Sequence, residues 1–141
     1  MTCASCGQNN RLAFGRLGET TRCGKCRAAL QAPDAPVNVG STADFDTLIK
    51  LSRLPVLIDF WAAWCGPCRV VGPQVEIVAK RASGRWLVAK IDTEALSDLA
   101  ARLNISSIPT LAVFRHGKEV ARTSGSMPAD RIESFVTGAV G

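Results

Sequence analysis

Six cysteines carry the chemistry open to this sequence, and they form three Cys-x-x-Cys pairs: Cys3/Cys6, Cys23/Cys26 and Cys65/Cys68. Sixteen residues separate the first pair from the second, which fits the zinc spacing C-x₂-C-x₁₅₋₂₀-C-x₂-C. Two short knuckles can bring four sulfurs into a tetrahedron, with Gly7 and Gly24 suited to the tight turns around the ion. With all four positions filled by protein, such a zinc is structural rather than catalytic. Two disulfides or an iron centre are the competing readings. The third pair sits apart, in Trp64-Cys65-Gly66-Pro67-Cys68. It supplies only two metal ligands, and no second unassigned pair exists because His116 is the sole histidine. Redox chemistry is therefore expected of Cys65 and Cys68. His116, in a turn, is read as exposed and inert.

A reactive thiol needs an element that stabilises its anion. Pro55-Val-Leu-Ile-Asp-Phe60 is a nearly continuous apolar run and reads as a central strand buried on both faces. A helix is expected to start near Pro67 and run to about Lys80, kinked at Pro73. The opening turn of a helix has unpaired N–H groups and a partial positive charge, so a thiol there is held as thiolate. Cys68 lies one turn on, on the same face, where a disulfide with Cα atoms ~5.5 Å apart can close. Pro67 fixes φ where a missing N–H does no harm, and Gly66 lets a substrate backbone approach. Cys65 is thus the expected nucleophile and Cys68 the resolving thiol.

The surrounding elements alternate. Val37–Val39 is a short strand. Ser41 or Thr42 can cap a helix whose apolar face is Phe45, Leu48 and Ile49. Leu87–Ile91 reads as a strand, and 94–103 as a helix burying Leu96, Leu99, Ala100 and Leu103. Thr110–Phe114 and Glu119–Thr123 form a hairpin through His116-Gly117. A last helix begins near Pro128 and turns Ile132, Phe135, Val136 and Ala139 inward. The order describes an α/β domain with a mixed sheet covered by helices on both sides. Residues 37–141 can bury a core. Residues 1–30 cannot without metal or crosslinks, and Gln-Ala-Pro-Asp-Ala-Pro across 31–36 reads as a linker stiffened by two prolines.

At this point the sequence resembles a known family. Residues 57–73, Leu-Ile-Asp-Phe-Trp-Ala-Ala-Trp-Cys-Gly-Pro-Cys-Arg-Val-Val-Gly-Pro, resemble the active-site signature of thioredoxins. The cysteine-rich leader resembles that of the zinc-containing bacterial second thioredoxins. The resemblance implies the thioredoxin fold, preceded by a small zinc ribbon. It also implies that Asp59 is the buried acid under the active site, acting as proton acceptor for Cys68. An Asp within an apolar strand is costly to bury ionised, which raises its pKa; without the resemblance, an exposed strand-end residue is the alternative. Lys90 matches the lysine that neighbours this Asp, and would otherwise read as a surface residue. Ile108-Pro109-Thr110 matches the family's cis-proline segment, whereas only ~5–6% of X–Pro bonds are otherwise cis. The Ile108 backbone would then face Cys65, and Trp64, Gly66, Pro67, Ile108 and Gly125 would form a shallow apolar substrate patch. Trp61 is expected to pack beneath the site. Ala63 and Ser106-Ser107 depart from the commonest family pattern, which bears on partner choice and not on chemistry.

The implied activity is reduction of protein disulfides, with recharging by an NADPH-dependent thioredoxin reductase and no organic cofactor. An oxidase or isomerase is the variant reading; Gly-Pro between the cysteines resembles the reducing members. The chain opens without a basic and apolar leader and has no ~18-residue apolar run, so a cytoplasmic monomer with no membrane span is expected. Of the net charge of +5, residues 1–32 contribute five basic residues against Glu19 alone, a balance of +4. Four zinc-bound thiolates would halve that excess, so nucleic-acid binding is not expected.

Overall fold

The computed structural model describes residues 3, 5–8, 21–30, 34–82 and 84–140. In chain order the elements are β1 (Thr21–Arg22), β2 (Ala29–Leu30), β3 (Val37–Asn38), α1 (Thr42–Leu51), β4 (Val56–Trp61) and α2 (Gly66–Arg81). They continue as β5 (Leu87–Asp92), α3 (Ser97–Arg102), β6 (Thr110–Arg115), β7 (Lys118–Ser124) and α4 (Ala129–Val140). β1 and β2 form a small antiparallel ladder around the second cysteine knuckle. The spacer at 9–20, with Arg11 and Arg16, and the linker residues 31–33 lie outside the described residues.

The other five strands form one sheet in the order β3-β5-β4-β6-β7. β4 runs parallel to β5 and antiparallel to β6. This is the mixed sheet expected from the order of elements. β4 is buried from Val56 to Phe60, as a strand covered on both faces must be. Strand alternation divides its side chains between two cores. Val56, Ile58 and Phe60 pack with Phe45, Leu48 and Ile49 of α1 and Leu99 of α3. Leu57 packs with Val71, Val75 and Val78 of α2 and Ile132 and Val136 of α4. Asp59, two residues after Leu57, is therefore directed into the α2 layer.

Local chemistry sets the element ends. Ser41 caps α1, its hydroxyl accepting the Asp44 N–H at 3.1 Å. His116 and Gly117, with φ of 54° and 79°, make the tight turn between β6 and β7. His116 is exposed there, as expected. One boundary is corrected. The helix expected over 94–103 starts only at Ser97, because the Asp92 carboxylate accepts the Glu94 and Ala95 N–H groups at 2.9 and 3.4 Å. That side chain offers the backbone a turn in place of the first helical hydrogen bonds. No helix among the described residues is long and apolar enough to cross a membrane.

Candidate functional site

A short turn joins β4 to α2, closed by the Cys65 N–H donating to the Ala62 carbonyl at 3.2 Å. Cys65 is the N-cap of α2, and its Sγ accepts the Cys68 N–H at 3.2 Å. A sulfur so placed meets the unpaired amides and positive end of a 16-residue helix, which favours the thiolate. Cys65 and Cys68 are joined as a disulfide with Cα atoms 5.3 Å apart. Pro67 lies in the first turn, and Pro73 lies within the same helix, where it removes the hydrogen bond to the Arg69 carbonyl.

Asp59 lies in β4, six residues before Cys65, with 0% of its surface exposed and neither carboxylate oxygen hydrogen-bonded among the described residues. Burial pushes its carboxyl up from the ordinary 3.8 to about 6, and the charge of Lys90 pulls against that rise. The parallel register places Asp59 directly opposite Lys90. The exposed strand-end alternative for Asp59 is thereby excluded. Lys90 is half-buried, not a surface residue, and its Nζ lies 5.3 Å from the centre of the Trp61 ring. Trp61 and Ile108 each pack against the buried cluster of Ala62, Cys65 and Cys68. Trp61, Cys68, Arg69, Gly72, Glu76 and Lys90 help to line a cavity of about 340 Å³ that sequence reasoning did not find. Its walls come from three elements, so no local motif announces it.

On the other flank a cavity of about 420 Å³ is lined by Trp64, Cys65, Gly66, Pro67 and Ile108, with Thr93, Ile105, Ser106 and Ser107. Four of the five residues expected in the substrate patch are thus brought together. Gly125 is not among the lining residues. Its N–H instead donates to the Pro109 carbonyl at 3.0 Å, from a φ of 98° that suits glycine. The Ile108–Pro109 bond is cis. The Ile108 carbonyl oxygen lies 3.8 Å from Cys65 Sγ, and the Thr110 hydroxyl donates to the Ser107 carbonyl behind it. Trp64 is 69% exposed, and its Nε1–H donates to Glu94 at 2.7 Å. Nothing in the sequence marks Glu94. Helical spacing places it at the start of a helix, and the one signal against that is Asp92 two residues earlier, competing for the same amides.

The four remaining cysteines converge. Cys3, Cys6, Cys23 and Cys26 place their sulfurs within 4.8 Å of one another. Cys3 and Cys26 are 3.6 Å apart at sulfur, as are Cys6 and Cys23. A tetrahedral site with Zn–S of about 2.3 Å has sulfur–sulfur edges of roughly 3.8 Å, so the donor set fits zinc. The Lys25 N–H donates to the Cys23 sulfur at 3.4 Å, a contact that supports a thiolate ligand. A backbone hydrogen bond from Gln8 lowers the Cys6 pKa, but burial and the other three sulfurs push it up to about 12. A cation among the four sulfurs would favour their thiolate forms against that mutual repulsion.

Comparison with known proteins agrees with this arrangement. The thioredoxin family matches residues 36–138, and a zinc ribbon described as the N-terminal part of thioredoxin 2 matches residues 2–28. Thioredoxin C-3 of Corynebacterium nephridii is 44% identical over 136 residues, covering 96% of this chain and 92% of that protein. Thioredoxin 1 of Chlorobaculum tepidum is 43% identical over 96 residues, 68% of this chain and 95% of its own length. Among solved structures, a variant thioredoxin from Halobacterium salinarum NRC-1 superposes with a TM-score of 0.70 at 31% identity. That match covers 77% of this chain and 94% of the other. The chain belongs to the thioredoxin family: it is a thiol–disulfide oxidoreductase with Cys65 and Cys68 as its active-site pair and a four-cysteine ribbon ahead of the catalytic fold.

Proposed function

We propose that the chain reduces protein disulfides in the cytoplasm, with Cys65 as nucleophile, Cys68 as resolving thiol and Asp59 as the proton acceptor between them. The Cys65 thiolate attacks one sulfur of a substrate disulfide, forming a mixed disulfide and releasing the other sulfur as a thiolate. Cys68 then gives its proton to Asp59 and attacks the Cys65 sulfur. The Cys65–Cys68 disulfide closes, and the second substrate sulfur leaves and is protonated. Two enzyme thiols are oxidised and one substrate disulfide becomes two thiols. An NADPH-dependent thioredoxin reductase returns the electrons. Lys90 tunes Asp59 by favouring its charged form. Trp64, Gly66, Pro67 and Ile108 bound the cavity that receives the substrate segment, while the Gly125 N–H, donating to the Pro109 carbonyl, braces the cis bend that presents Ile108.

The observation that carries this reading is the position of Cys65. It caps α2 and accepts the Cys68 amide, and the strand that leads into that turn carries the buried carboxyl of Asp59. A single zinc among Cys3, Cys6, Cys23 and Cys26 holds residues 1–30 as a ribbon, with 31–36 a linker and 37–141 the catalytic domain. Support for that division comes from the two separate sheets, which share no strand. In this reading the protein acts as a monomer and nucleic acid is not a partner.

Reductase-coupled turnover of a protein disulfide tests the proposal, with zinc counted in the same preparation. Sustained NADPH oxidation and one zinc per chain are expected. A strong chelator should remove the metal and unfold the ribbon while the five-stranded sheet persists by circular dichroism. A metal-free preparation with Cys3, Cys6, Cys23 and Cys26 paired in disulfides would refute the zinc assignment. Absence of turnover with reductase and substrate both present would refute the activity.

A further inference from the structure

The structure assigns a positioning role to Glu94: its carboxylate holds the Trp64 indole as one wall of the substrate cavity and so governs affinity for protein disulfides. The inference rests on the cavity being the substrate's seat, as proposed above. Trp64 is the most exposed large hydrophobic side chain described, at 69%, and an indole so open to solvent has little packing to fix its rotamer. Its one hydrogen-bonding group is spent on Glu94 Oε1, at 2.7 Å. That distance is typical of a charge-assisted N–H···O⁻ bond, the stronger class.

The acceptor is itself held. Glu94 sits in the turn between β5 and α3, where the Asp92 carboxylate accepts its backbone N–H at 2.9 Å. On either side, the Thr93 N–H donates to the Trp61 carbonyl at 2.9 Å and the Leu96 N–H to the Asp92 carbonyl at 3.0 Å. The turn that displaces the start of α3 therefore does two things. It frees the Glu94 side chain from a helix face, and it ties its backbone to the end of β4 and the end of β5. Thr93 of this turn and Trp64 both line the cavity beside Cys65. The Trp64–Glu94 bond bridges the two rims, from the β4–α2 turn to the β5–α3 turn. A wall fixed before substrate arrives does not have to be ordered on binding, which lowers the cost of association. A small disulfide reagent that reaches Cys65 without filling the cavity gains nothing from it.

Three variants decide the matter: Glu94→Ala, Glu94→Gln and Trp64→Ala. Glu94→Ala is expected to raise KM for a protein disulfide about tenfold or more with little change in kcat, as loss of one charge-assisted hydrogen bond implies. Reaction with a small aromatic disulfide should be unaltered. The Trp64 indole N–H, followed by NMR and assigned by its absence in Trp64→Ala, should exchange faster with solvent. Glu94→Gln keeps an oxygen acceptor and should restore most of the affinity and the slow exchange. If Glu94→Gln is as impaired as Glu94→Ala, charge and not the bond is responsible, and the positioning role is overturned. It is equally overturned if Trp64→Ala raises KM while Glu94→Ala does not. If Trp64→Ala itself leaves KM unchanged, the assignment of the cavity to substrate fails, and this inference falls with it.

Discussion

Cys65→Ser is expected to abolish catalysed reduction of protein disulfides, lowering turnover by at least about 10³-fold, while Cys68→Ser accumulates mixed disulfides instead. The first loss is chemical: a serine hydroxyl is not ionised near neutrality and does not attack sulfur. The second is kinetic. In the native pair the resolving sulfur is held one helical turn from its target, with Cα atoms 5.3 Å apart, so resolution is intramolecular. Effective molarities of well-oriented groups reach about 10⁵ M or more, and an external thiol at millimolar concentration replaces that poorly. Exposure does not rank the two sulfurs, since Cys65 is 3% and Cys68 6% exposed. Helix position does. Cys65 stands at the cap, beside Ile108 and the larger cavity, whereas Cys68 faces the smaller cavity with Trp61 and Lys90. Non-reducing electrophoresis and mass spectrometry after substrate challenge read the outcome. Turnover surviving Cys65→Ser, or adducts forming on Cys68 in that variant, would reverse the assigned roles.

Features set by local chemistry were legible in the sequence, and features set by register were not. The apolar run at Val56–Phe60 announced a doubly covered strand, and Pro67 after Gly66 announced the helix start that Cys65 caps. The spacing of Cys3, Cys6, Cys23 and Cys26 announced a cluster before any sulfur–sulfur distance was known. By contrast, no pattern along the chain brings Lys90 beside Asp59. Their adjacency comes from the parallel alignment of β4 with β5, a contact 31 positions apart in sequence. The cis bond at Pro109 was legible only through the family resemblance, because an isolated Ile-Pro favours trans. The helix start before Ser97 was misplaced because Leu96, Leu99 and Leu103 keep helical spacing through a turn that Asp92 holds open. Glu94 was overlooked for the same reason. Its partner Trp64 lies 30 residues away, across a loop whose path periodicity does not describe.

Asp59→Asn is expected to make the protein more stable at neutral pH and slower in its second chemical step. The folded carboxyl titrates near 6 and the unfolded one near 3.8. Below pH 3.8 both states are protonated and burial carries no ionic penalty. As pH rises from 3.8 towards 6 the unfolded chain ionises first, so the folded state loses stability across that window. Above 6 the penalty is complete, and about 2 pK units correspond to about 3 kcal/mol. Asparagine has nearly the same shape and never ionises, so the variant should gain about that much at pH 7.5 and nothing near pH 3.5. Denaturant unfolding of the reduced proteins at the two pH values measures it. The same substitution removes the group proposed to take the Cys68 proton, and general-base contributions are typically about 10²-fold or more. In the native protein the resolution rate, followed by stopped flow on a preformed mixed disulfide, should rise through an inflection near pH 6. The variant should be slow and lack that inflection. Lys90→Met removes the charge that favours the ionised form, so it should move the native inflection upward. An Asp59→Asn protein that is no more stable at pH 7.5 than at pH 3.5, relative to native, would show that Asp59 is solvated in solution. A retained inflection in that variant would assign the proton to another group.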